Sequence, residues 1–150
     1  MVKLKNYTST VPAAKSIAYI EAVLLAHNVT KTQKTAENGR VTALCFAMNI
    51  DGSEVYFKLP ARIANCEKVL QSKRSRRIKP ETAKKIAEQA ERTALKIISD
   101  WVEAQMAMIE LAQIKPLEVF LPYVLTTGTV TFYEALEAKG YKGLLPEGKS

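Results

Sequence analysis

Apolar positions recur along this chain with two different periods. Ala13, Ile17, Ile20 and Leu24 repeat at helical spacing behind Ser9-Thr10-Val11-Pro12, a hydroxyl cap followed by a first-turn proline, which predicts a helix over about 11–27. Asn28 tolerates the left-handed conformation and marks its stop. The period then shortens to two. Residues 29–36 are threonine-rich and alternate weakly, as an exposed edge strand does. In 41–50, Leu44, Phe46, Met48 and Ile50 share one face and Ala43, Cys45 and Ala47 the other. Val55, Phe57 and Leu59 continue the bulky face, with Tyr56 and Lys58 opposite. Asn38-Gly39 and Asp51-Gly52 are hairpin turns. The reading is a three-stranded antiparallel meander whose bulky face is covered by the first helix.

Helical spacing returns afterwards. A short helix is expected over 61–70, with Ile63, Cys66, Val69 and Leu70 on its apolar side, and a long one over about 80–113, opened by Pro80. Ala83, Ile86, Ala90, Ala94, Ile97, Trp101, Ala104, Met108 and Leu111 trace one stripe along the long helix. Ile98, Val102, Met106 and Ile109 add a second, which puts the C-terminal half at the centre of the core and leaves the N-terminal half basic and half-exposed. Pro116 is expected to end this helix. A short helix interrupted by Pro122 follows over 117–125, and Thr131-Phe132-Tyr133-Glu134 is a capping box for a last helix that stops at Gly140. The fold class is therefore α+β: a meander packed by an N-terminal helix and a long C-terminal helix, plus short terminal helices. Residues 1–150 form one domain with a basic loop over 72–79 and a frayed tail over 144–150. The apolar span 97–125 is broad for a single domain, which makes a homodimer one expected partner state.

Charge changes this picture in one place. The net charge is +7. Between Ser72 and Lys85 lie Lys73, Arg74, Arg76, Arg77, Lys79, Lys84 and Lys85 against the single acid Glu81, so all but one unit of the excess is local. Cations this crowded repel one another, and phosphates would relieve the repulsion while releasing counterions. Arginine, whose planar fork suits phosphate, dominates the loop. These seven residues are the candidate nucleic-acid contacts, for DNA or RNA, with no base-reading pattern beside them. Tyr56, on the outward sheet face, is a possible stacking residue, although such a face is more often covered by a helix.

Other chemistry is poorly represented. His27 is the only histidine and reads as a helix C-terminal cap. Cys45 and Cys66 form no C-x-x-C pair and read as small buried hydrophobes of a reducing compartment. Glu88 and Glu91 stand among Lys84, Lys85, Arg92 and Lys96, as on a salt-bridged helix face. No phosphate-binding glycine loop occurs, and no metal ligand set or cofactor is expected. An enzyme would need Asp51, Glu54 and Asp100 to converge. No run of about 18 apolar residues is present and the first residues do not read as a secretory signal, so membrane partners are not expected.

The order helix, three antiparallel strands, helix, with Ala83-Lys84-Lys85-Ile86-Ala87 opening the last helix, resembles the layout of a double-stranded-RNA-binding domain over 11–113. It departs from that layout at Asp51-Gly52 and in the inserted segment 61–79, and no functional residues are carried across. The stretches Gly39-Arg40-Val41-Thr42-Ala43-Leu44, Asp100-Trp101-Val102-Glu103-Ala104-Gln105 and Val119-Phe120-Leu121-Pro122-Tyr123 resemble a group of small phage and prophage proteins of unassigned function. That resemblance implies the cytoplasm of a bacterial host and a non-catalytic accessory role in phage nucleic-acid metabolism. The alternative it implies is an anti-defence factor, for example an anti-CRISPR inhibitor or adaptor, acting on a host nucleoprotein complex.

Overall fold

The computed structural model describes residues 4–74 and 77–144. Helix α1 spans Ala13–Leu25 and buries Ser16, Ile17, Ile20 and Leu24. Pro12, with φ −58° and ψ 144°, stands just before the helix rather than inside its first turn, and no side chain caps it. Instead the Ser9 hydroxyl accepts from Val11 N at 3.3 Å, a local turn that competes with capping. Asn28 takes φ +67° and turns the chain into the sheet.

Strands β1 (Val29–Glu37), β2 (Arg40–Ile50) and β3 (Ser53–Pro60) form an antiparallel meander with β2 in the middle. Asn38 and Gly39, and Asp51 and Gly52, all have positive φ, the conformation that lets a two-residue turn follow the twist of its strands. The register pairs Leu44 with Leu59, Phe46 with Phe57 and Met48 with Val55, so the bulky residues meet across the strands. On the opposite face Cys45 pairs with Lys58 and Ala47 with Tyr56. This outward face stays open at Lys31, Gln33, Thr35 and Tyr56; the long helix packs on α1 and a second helix instead.

That second helix, α2, spans Ile63–Ser72, and α3 spans Pro80–Glu110. Pro80 sits in the first turn of α3 with Glu81 beside it, both favourable at a helix N-terminus. Helix α3 ends at Glu110, earlier than Pro116 would impose. Ala112 adopts φ +58° and Gln113 N donates to Met108 O at 2.9 Å, a left-handed C-terminal motif that stops the helix without proline. Pro116 opens the next helix, α4 (Pro116–Phe120), which runs into a 3-10 turn, Leu121–Tyr123. A small hairpin, β4 (Leu125–Thr127) and β5 (Val130–Thr131), leads into α5 (Phe132–Ala138). The Thr131–Glu134 capping box forms reciprocally, at 3.2 and 3.0 Å, and Gly140 takes φ +65°. Leu144 lies in a short 3-10 turn, and residues 145–150 of the expected frayed tail lie outside the described residues.

The core lies between the bulky sheet face, α1, α3 and Phe120. Phe46 and Phe57 stack at 4.9 Å, and Phe120 meets both edge-on at 5.3 and 5.8 Å. Trp101 contacts Phe120 at 5.7 Å and Tyr123 at 5.9 Å. Much of the apolar span 97–125 is thereby engaged within the chain, although Leu111 and Leu121 remain exposed. The burial of α3 departs from the expectation in its C-terminal half, where Glu103, Ala104 and Ala107 face solvent and the buried line runs Leu95, Ser99, Val102, Met106. Two of the residues α3 buries, Thr93 and Ser99, are polar.

A segment before α1 explains Thr93. Residues 5–9 lie across α3 as a strap. Thr93 Oγ1 donates to Asn6 O at 3.0 Å, Gln89 Nε2 to Ser9 O at 3.0 Å and Arg92 Nε to Ser9 O at 3.4 Å. Asn6 Nδ2 donates to Asp100 Oδ2 at 2.9 Å, and Lys5 adds an ion pair with Asp100 at 3.4 Å.

Candidate nucleic-acid interface

The basic segment begins where α2 stops. Ser72 closes α2, with its hydroxyl bonded to Val69 O at 2.7 Å, and is thus helical rather than part of the loop. Lys73 is the C-cap, and Arg77, Ile78 and Lys79 lead without helical structure into Pro80. Lys73, Arg74, Arg77, Lys79, Lys84 and Lys85 are all exposed, and Arg76 lies outside the described residues.

Three of these residues are brought together. Lys73 and Arg74 at the end of α2, with Lys85 on α3, line a cavity of about 740 Å³ that also receives Arg92, Glu88 and Tyr7. Its apolar floor is Leu70 and Ile86. Four cations against one carboxylate give this recess a local charge of +3. Arg92 is held in place by its bonds to Ser9 O and to Gln89 Oε1, the latter at 2.6 Å. Arg77, Lys79 and Lys84 do not line the cavity and stand outside it. The sequence reading missed Arg92 and Tyr7. Arg92 falls two turns after Lys85, so helical spacing could have found it; Tyr7 is brought in by the strap, which no local pattern announces.

The ion pairs fall elsewhere. Among the described residues, Lys5, Lys31, Lys34, Arg40 and Lys96 each meet a carboxylate, and none of the six described cations of the basic cluster does. The expected salt-bridged face around Glu88 and Glu91 is not formed. Glu91 turns to Arg40 of β2 at 3.2 Å, Lys96 to Asp100 at 3.1 Å, and Arg92 to Gln89 and the strap. Glu91 and the strap bond of Arg92 reach distant parts of the chain, while Lys96–Asp100 and Arg92–Gln89 are neighbours on α3 that bypass Glu88 and Glu91.

Tyr56 is 46% exposed, but its surroundings are occupied. Its hydroxyl donates to Glu54, and Lys31 Nζ lies 5.8 Å from the ring centroid. A hydrogen bond from the Tyr56 hydroxyl, with Lys31 beside it, holds the Glu54 carboxyl below its ordinary range. The remaining titratable residues have structural surroundings. Burial pushes Asp100 up, but the Asn6 amide and Lys96 outweigh it and the carboxyl lies below its ordinary value. Burial raises both thiols, Cys45 and Cys66, which are free and half-buried. Asp51 and Glu54 sit at the β2–β3 turn while Asp100 is held on α3 by Asn6, Lys5 and Lys96. Among the described residues no group of three or more His, Cys, Asp or Glu side chains is placed to hold a metal ion, and no helix is long and apolar enough to cross a membrane.

A second cavity, of about 940 Å³, lies between α2, α3 and the α4–α5 region. It mixes Lys58, Arg62 and Glu134 with Cys66, Tyr123 and Tyr133 and contains none of the expected nucleic-acid contacts. No model of a known protein family matches this chain, and no curated protein or solved structure is similar to it.

Proposed function

We propose that this protein binds nucleic acid through the end of α2, the basic segment and the first turns of α3, as a non-catalytic accessory protein of phage or prophage type. One observation carries the reading. The six described cations of the cluster have no carboxylate ion pair among the described residues, while Lys5, Lys31, Lys34, Arg40 and Lys96 do. Crowded charge without an ion pair among the described residues favours a polyanion from outside, and phosphates offer it at regular spacing. Arg74 and Arg77 are exposed and Lys84 and Lys85 stand on adjacent solvent-facing positions of α3, so a strand can reach them without rearrangement of the core.

The test is binding of labelled DNA and RNA oligonucleotides across a salt series. Binding is expected to weaken steeply between 50 and 200 mM salt, by roughly tenfold or more for a handful of phosphate contacts. Replacing Arg74, Arg76 and Arg77 together with alanine should abolish it with the melting temperature unchanged. Binding that survives the triple substitution would place the interface elsewhere.

A second reading, an anti-defence inhibitor or adaptor that engages a host nucleoprotein complex, draws on the apolar residues exposed beyond α4: Leu121, Val130, Phe132 and Tyr133. A complex that persists after nuclease treatment, and that is lost on replacing Phe132 and Tyr133 rather than the arginines, would favour it.

A further inference from the structure

We infer that the recess between the end of α2 and α3 takes the phosphorylated end of a single strand, rather than the middle of one; this rests on the nucleic-acid reading above. The shape of the recess gives the first reason. The strap crosses α3 at Gln89, Arg92 and Thr93 and is tied there by three hydrogen bonds. Tyr7 lies between the tied residues Asn6 and Ser9 and lines the recess, so the strap borders it at that end. From Arg92 to Lys85 is two helical turns, about 10 Å. A strand that enters past Lys85 runs along the recess toward the strap, and its end is placed there.

Charge gives the second reason. The lining carries Lys73, Arg74, Lys85 and Arg92 against Glu88. A phosphodiester brings one negative charge, whereas a terminal phosphate monoester brings about −1.5 to −2 at neutral pH and three acceptor oxygens. The monoester matches the concentration of donors better, and Arg92, already oriented by Gln89 and Ser9, meets it without ordering cost. Leu70, Ile86 and Tyr7 provide apolar surface for the terminal base. Outside the recess, toward the start of α3, Lys79, Arg77 and Lys84 continue the positive surface for the following phosphates.

The experiment compares single-stranded oligonucleotides of about ten residues that carry a 5′-phosphate, a 3′-phosphate or hydroxyls at both ends, by fluorescence anisotropy at low salt. One phosphorylated form is expected to bind at least about fivefold tighter than the hydroxyl-ended form. Lys85→Ala, at an exposed position with no ion pair among the described residues, should reduce that preference to less than about twofold with the melting temperature unchanged. A nucleoside monophosphate, which has the monoester but lacks the following phosphates, should compete only at about a hundredfold excess or more. Equal binding of the three oligonucleotides overturns the end-specific site and leaves general binding standing. Equal competition by the monophosphate reassigns the recess to a mononucleotide. A chain that binds none of them overturns the nucleic-acid reading and this one together.

Discussion

His27 shows what a lone titratable residue does in this fold. Its Nδ1 is 2.7 Å from Val23 O and its Nε2 3.2 Å from Glu110 Oε2, joining the end of α1 to the end of α3. Both partners are acceptors, so only the doubly protonated ring satisfies both with N–H donors. The backbone bond to Val23 raises the histidine above its ordinary 6.5; burial opposes it, and Glu110 adds to the rise. Because the folded value lies above the unfolded one, this contribution to stability is complete below about pH 6.5 and is lost as pH climbs through the folded value. Melting temperature is thus expected to fall as pH rises above about 6.5, and His27→Ala should flatten that part of the profile. The capping role was legible because a histidine after a helical stripe meets free carbonyls wherever the helix goes. Its bond to Glu110 was not, since 83 residues separate the two.

Elements show the same division between local and distant causes. The two hairpins and the Thr131 capping box follow from backbone chemistry within four residues, and the sequence specifies them. The end of α3 does not follow, because a proline is a visible stop and an alanine is not. Ala112 takes a left-handed conformation that its Cβ disfavours by about 1–2 kcal/mol. Ala112→Gly is accordingly expected to stabilise the protein by about 1 kcal/mol, read as a higher urea midpoint with the slope unchanged. Thr93 and Ser99 illustrate the limit from the other side. On periodicity they interrupt an apolar stripe, yet both are buried; the Thr93 hydroxyl is accounted for by its bond to Asn6 O, 87 residues away. The basic cluster was legible as composition. Its partition into a recess around Lys73, Arg74 and Lys85 and an outer group around Arg77, Lys79 and Lys84 needed the packing of α2 on α3.

Across the whole molecule, Phe120 joins parts that are far apart in sequence. It is fully buried, touching Phe46 of β2, Phe57 of β3 and Trp101 of α3. Phe120→Ala should cost about 3–5 kcal/mol in chemical denaturation, since sheet and helix have other contacts and cannot collapse fully into the space. It lies in a different part of the fold from the basic residues. At temperatures where the variant stays folded, its oligonucleotide affinity is expected to match that of the parent chain.

The strap imposes an order on synthesis. Residues 5–9 leave the ribosome ahead of Gln89, Arg92, Thr93 and Asp100, to which they attach and which follow 80 to 94 residues later. Until then the strap lacks the α3 residues that tie it, and the cationic recess lacks Lys85, Glu88 and Arg92. The recess proposed for a polyanion is therefore complete only after α3 has cleared the exit tunnel.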